Sequence, residues 1–167
     1  DVACGGFPCQ DISIAGRGAG MEGEQSGLWS EFARIIRESR PKYVIVENSP
    51  ELLIRGMGRV LGDLADAGYD AEWEGIPAAA IGAPHLRARQ WILAYPSSVG
   101  DRLQENTILS GGDRLIDRSW WASEPSVPRV DDGVPYRVDR CSATGDAILP
   151  QIAEIIGRAI MTRSSFD

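Results

Sequence analysis

The chain has 167 residues, 43% of them hydrophobic and 25% charged, which is one-domain size with enough apolar material for a core that needs no disulfide or metal staple. The net charge is -7, from 17 Lys and Arg against 24 Asp and Glu, which excludes a surface that is basic as a whole. Any grip on phosphate must come from local basic loops or from another part. No stretch approaches the roughly 18 uninterrupted apolar residues of a spanning helix, and no signal-peptide pattern opens the chain, so it reads as cytoplasmic and without a membrane partner. Cys4, Cys9 and Cys141 make an odd count with no short-spacing pair. That suits a reducing compartment better than a disulfide framework, and no metal site is expected.

Val2 to Cys4 is a short apolar burst that reads as a strand, entered from Asp1 without a methionine, so the sequence reads as an excerpt with its sheet incomplete at the amino terminus. Gly5, Gly6, Gly16, Gly18, Gly20, Gly23 and Gly27 then predict a long loop of the kind that forms lids and binding surfaces. Leu28, Phe32, Ile35 and Ile36 are spaced for a helix that ends before Pro41. Tyr43 to Val46 is a continuous β-prone run that stops at Glu47-Asn48-Ser49-Pro50.

Val60, Leu61, Leu64 and Ala65 predict a second helix closed by Gly68, Tyr69 to Ile76 a strand, and Trp91 to Tyr95 another. This alternation predicts an α/β fold with a largely parallel sheet, whose ligands gather outside the carboxyl ends of the strands. Three segments follow: an α/β part over 1–96, a short insert over 97–119, and a return segment over 120–167. In the last, Ile148, Ile152, Ile155, Ile156 and Ile160 lie on one helical face with Pro150 in the first turn.

Cys9 sits in Phe7-Pro8-Cys9-Gln10 directly after a strand, where inward-pointing amides favour a thiolate; taken alone, it reads more readily as an inert buried thiol. Glu47 ends an apolar strand, where desolvation favours the neutral acid that a proton donor needs, though a capping carboxylate has the same address. Arg87 and Arg89 fall on one side of an extended segment, suited to an anion or a base edge, or simply to water.

In combination these residues resemble the DNA (cytosine-5)-methyltransferase family, notably its short phage-type and bacterial members of restriction-modification systems. Gly6-Phe7-Pro8-Cys9-Gln10 is similar to the nucleophile motif, Glu47-Asn48-Ser49 to Glu-Asn-Val, His85-Leu86-Arg87-Ala88-Arg89 to Gln-x-Arg-x-Arg, and Gly145-Asp146-Ala147-Ile148-Leu149-Pro150 to Gly-Asn-x-Val-x-Pro. Trp120-Trp121, Glu124-Pro125 and Gly133-Val134-Pro135 also look like the short members.

The resemblance implies a Rossmann-like, S-adenosylmethionine-dependent sheet and a base flipped out of double-stranded DNA. It implies that Cys9 adds to carbon 6 of cytosine, that Glu47 serves ring nitrogen 3, that Arg89 holds the base's carbonyl oxygen and that Arg87 orders the site. Carbon 5 then takes the methyl group, loses its proton, and the thiol is eliminated. Contacts to S-adenosylmethionine are implied for Pro8, Leu28 and Asp146, and contacts to DNA for Gln10, Ser13 and Arg17. The sequence departs from the pattern at Asp146 (Asn in the family), Ser49 (Val) and His85 (Gln). The family's Phe-x-Gly-x-Gly cofactor turn is absent from these 167 residues, so a complementing amino-terminal segment or subunit is expected as a partner. Two other classes stay open: an inactive remnant that binds DNA or a partner, and a Cys4–Cys9 redox pair.

Overall fold

The computed structural model describes residues 1–7, 28–83, 85–100 and 148–164. Strand β1 (Val2–Gly6) leads, across the segment 8–27, to helix α1 (Leu28–Ser39), then β2 (Tyr43–Asn48), a short helix α2 (Leu52–Arg55), α3 (Met57–Asp66) and β3 (Tyr69–Pro77). A 3-10 turn (Ala78–Ile81), strand β4 (Ala88–Pro96), a helical turn α4 (Ser97–Gly100) and helix α5 (Pro150–Ser164) complete the described elements. The expected helices and strands are all present. The insert beyond residue 100 and the return segment up to residue 147 lie outside the described residues, so the proposed boundaries there rest on sequence alone.

The four strands form one sheet in the order β1-β2-β4-β3. Only β1 and β2 pair in parallel; β4 runs antiparallel to both β2 and β3, which corrects the expectation of a largely parallel sheet. The cause is the link from β3 to β4. A parallel return needs a crossover of about a dozen residues or more, usually with a helix. Residues 78–87 hold only the 3-10 turn, so β4 doubles back beside β3 and inserts next to β2.

Strand alternation sends successive side chains to opposite faces. On one face Val44, Val46, Ile92 and Ala94 pack beneath α1, α2 and α3 through Trp29, Ala33, Ile36, Leu52, Val60 and Leu64. On the other, Tyr43, Trp91, Leu93 and Tyr95 pack with Ile81 and with Ile152, Ile156 and Ile160 of α5. Each fully buried large side chain contributes about 1.5–3 kcal/mol relative to exposure. The segment 43–46 reads as continuously apolar because both of its faces are covered.

Helix α1 buries Ile36 and packs Phe32 against the core as its spacing implies, but its inward face is rotated away from Leu28 and Ile35. Trp29, Ala33 and Ile36 are buried, whereas Leu28 and Ile35 are 53% and 45% exposed. The indole of Trp29 donates to Asp63 Oδ2 at 2.8 Å, a bond that ties α1 to α3. Likewise Ile148 precedes α5 and stays exposed, while Ile152, Ile156 and Ile160 carry the buried stripe.

Strand β1 also runs further than expected, through Gly5 and Gly6, whose registered partners are Val46 and Glu47. Those glycines mark close approach rather than a turn. A Cβ on Gly5 would meet the ring of Phe32 at 3.2 Å, and one on Gly6 would stand 2.9 Å from the carbonyl oxygen of Glu47.

Candidate active site

The antiparallel return of β4 has a chemical consequence. It brings the beginning of β4 to the same edge as the carboxyl ends of β1 and β2, so residues that a parallel sheet would hold at opposite edges meet here. Glu47 follows Tyr43 and Ile45 on the α5 face, and Arg89 precedes Trp91 and Leu93 on that face. Arg89 Nε lies 3.0 Å from Glu47 Oε1, the two side chains being 21% and 14% exposed. A second nitrogen, Arg89 Nη1, donates to the carbonyl of Ala88 at 3.0 Å, which fixes the plane of the guanidinium. Two effects act on Glu47: burial favours the neutral acid, and the guanidinium favours the carboxylate.

Arg87 is half-buried just before β4, and its carbonyl accepts from the amide of Ala78 at 2.9 Å, tying it to the turn after β3. His85 and Leu86 precede it at the surface, with Leu86 78% exposed. Next to Glu47, the absence of a side chain on Gly6 leaves room for the carboxylate, since a Cβ there would stand 3.4 Å from Glu47 Oε2.

Sequence reasoning quoted Asn48 only as part of a motif, yet its carboxamide is the joint of the site. Asn48 is 3% exposed; its Nδ2 donates to the carbonyl of Phe7 at 3.1 Å, and its Oδ1 accepts from the amide of Ser49 at 2.8 Å. The end of β2 thereby holds the last described residue before Pro8-Cys9. The available signal was an amide side chain directly after an apolar run, where a buried polar group must find partners. Gln90 is a second overlooked buried polar side chain, 1% exposed, on the opposite face of β4 from Arg89.

Cys9, Pro8, Gln10, Ser13, Arg17 and Asp146 lie outside the described residues. Glu47 and Arg89 are brought into contact, and Arg87 stands two residues from that pair in the chain. Leu28 opens α1 with its side chain exposed, beside Trp29, whose ring lies 5.4 Å from that of Phe7. For S-adenosylmethionine, Leu28 offers an apolar contact, but it is the only proposed cofactor residue among those described and brings no polar anchor. The described residues alone therefore do not fit that cofactor.

The profile of the C-5 cytosine-specific DNA methylases matches residues 1–109, spanning both strand ends that carry this geometry. The chain belongs to that family. It is 39% identical over 126 residues to the type II methyltransferase M.CviJI of Paramecium bursaria Chlorella virus IL3A, covering 75% of this chain and 33% of the relative. It is also 31% identical over 159 residues to the type II methyltransferase M.Sau3AI of Staphylococcus aureus, covering 89% of this chain and 38% of that one. The chain thus spans little more than a third of these relatives' length. The solved structure of the Entamoeba histolytica methyltransferase EhMeth overlays with a TM-score of 0.49 at 18% identity, over 56% of this chain and 31% of that one. The described fold of this family member is a mixed α/β arrangement around an open four-stranded sheet.

Proposed function

We propose that this chain is the base-handling part of a DNA methyltransferase that methylates carbon 5 of cytosine through a covalent adduct on Cys9. The observation that carries the reading is the Glu47–Arg89 pair at the carboxyl end of β2, beside Gly6, three residues before Cys9.

The Cys9 thiolate forms a bond to carbon 6 of the flipped cytosine, and the displaced electron pair moves through the ring to the nitrogen 3 side. Glu47 donates its proton or a hydrogen bond to nitrogen 3, which keeps the added electrons from returning and leaves carbon 5 electron-rich. Arg89, already oriented by Glu47 and Ala88, donates to the base's carbonyl oxygen, where negative charge develops. Arg87 orders the strand start. Pro8, Leu28 and Asp146 would help to hold S-adenosylmethionine, which would supply the methyl group to carbon 5 and leave as S-adenosylhomocysteine. Loss of the carbon 5 proton to solvent, with return of the nitrogen 3 proton to Glu47, re-forms the carbon 5–carbon 6 double bond and breaks the carbon–sulfur bond, releasing the Cys9 thiolate. Double-stranded DNA is the substrate, with Gln10, Ser13 and Arg17 as its contacts beside the base.

The test is bisulfite sequencing of DNA incubated with the full-length gene product and S-adenosylmethionine. Conversion-resistant cytosines at a recurring sequence, lost in Glu47→Gln, support the reading. Complete conversion with retained DNA binding would instead establish the non-catalytic remnant.

A further inference from the structure

Phe7 and Trp29 stand at the two ends of the segment 8–27, which carries Cys9, and their rings pack against each other, centroids 5.4 Å apart and tilted by 53°. Both are buried, at 6% and 0% exposure. Each is also held by a polar bond from a different element. The Phe7 carbonyl accepts from Asn48 at the end of β2, and the Trp29 indole N–H donates to Asp63 Oδ2 on α3 at 2.8 Å. Asp63 is in turn flanked by Arg37 of α1 at 3.6 Å and Arg59 of α3 at 3.8 Å. An edge-on contact from Trp29 to Phe32 fixes the ring from its other side.

We infer that Asp63 is a positioning residue for the nucleophile: through Trp29 it locks the Phe7–Trp29 clasp that joins the two ends of the Cys9 segment. This rests on the reading of Cys9 as the nucleophile. The aromatic packing alone is compatible with several ring orientations, because apolar contact is non-directional. The indole N–H adds direction. It selects one rotation of Trp29 and hence one seat for Phe7, two residues before Cys9. Asp63 itself lies on α3 and has no part in binding substrate or cofactor in the proposed mechanism. A displacement of about 1 Å at a reacting atom is enough to cost roughly a hundredfold in rate.

The test uses the full-length gene product with two readouts: hydrogen exchange at the amides of Phe7 and the first turn of α1, and the trapping rate on 5-fluorocytosine DNA per DNA-binding-competent molecule. Asp63→Ala is expected to speed exchange at those amides and slow trapping, each by about tenfold, with DNA affinity unchanged, as for loss of one charge-assisted bond. Asp63→Asn keeps an acceptor for the indole and is expected to restore both to within about threefold. Trp29→Phe keeps a ring against Phe7 but removes the N–H together with part of the buried indole; it takes the place of Asp63→Ala if that variant does not fold.

Unchanged exchange, faster exchange with unchanged trapping, or Asp63→Asn as impaired as Asp63→Ala would each overturn the inference. A wild-type protein that traps no DNA would overturn the nucleophile reading instead, and the exchange data would still decide the clasp.

Discussion

Arg89 Nε and Glu47 Oε1 meet at 3.0 Å because the strands that carry them run in opposite directions. The guanidinium is held by the same carboxylate and by the Ala88 carbonyl. In the proposed mechanism this one pair would supply both an acid for a ring nitrogen and a cation for the base's carbonyl oxygen.

Arg89→Leu is expected to lower kcat/KM for cytosine methylation by about a hundredfold or more, as for removal of a donor to developing negative charge. Arg89→Lys keeps the charge but loses the planar fork, and should recover only part of that loss. Steady-state kinetics on the full-length gene product decide this. A double-mutant cycle with Glu47→Gln should give a coupling of about 1–3 kcal/mol, since the two side chains share one interaction.

Asn48 anchors Phe7 with a donor that aspartate lacks. Asn48→Asp sets a carboxylate against the Phe7 carbonyl oxygen in a buried position and should cost about 2–4 kcal/mol, more than Asn48→Ala. Urea unfolding of the two variants measures the difference; equal costs would mean that the Phe7 contact contributes little.

Much of this arrangement was legible from the residues. The apolar run 43–46, the glycine stop after α3 at Gly68 with φ +82, and the buried stripe of α5 follow from periodicity and local conformation. Strand direction was not legible, because β4 has the same apolar composition in either direction and only the length of its link to β3 decides. The rotation of α1 was only partly legible: Leu28 and Ile35 are as apolar as Ile36, and packing of Trp29 and Ala33 against the sheet distinguishes the buried face. Glu47 and Arg89 were legible as candidates, but not their contact, which depends on that strand direction.

Gly6 is the position with least room. A Cβ there would stand 2.9 Å from the Glu47 carbonyl oxygen, a backbone atom that cannot swing aside. Gly6→Ala is therefore expected to destabilise the fold by about 1–3 kcal/mol and to push β1 away from β2. Thermal unfolding gives the first effect, and reduced activity per folded molecule the second.

Tyr69 gives a pH signature at the alkaline end. Its hydroxyl donates to the Pro41 carbonyl at 2.6 Å, and burial raises its pKa above the ordinary 10.0, opposed in part by Arg40. Because the folded state holds the phenolic proton more tightly than the unfolded state, this contribution is complete below pH 10 and is lost as pH rises through the folded value. Tyr69→Phe should be less stable by about 1 kcal/mol at pH 7 and should lose less on going to alkaline pH. Denaturant midpoints at pH 7 and above pH 10 test both statements.

The central claim is the covalent chemistry of Cys9, and the direct measurement is mass spectrometry of the full-length gene product after incubation with 5-fluorocytosine DNA and S-adenosylmethionine. Fluorine at carbon 5 cannot leave as a proton does, so the adduct cannot resolve. The account predicts a stable protein–DNA species mapped to the peptide that contains Cys9, abolished in Cys9→Ser and slowed in Glu47→Gln and Arg89→Leu. An adduct that persists in Cys9→Ser, or methylation of DNA with no adduct at all, would contradict it.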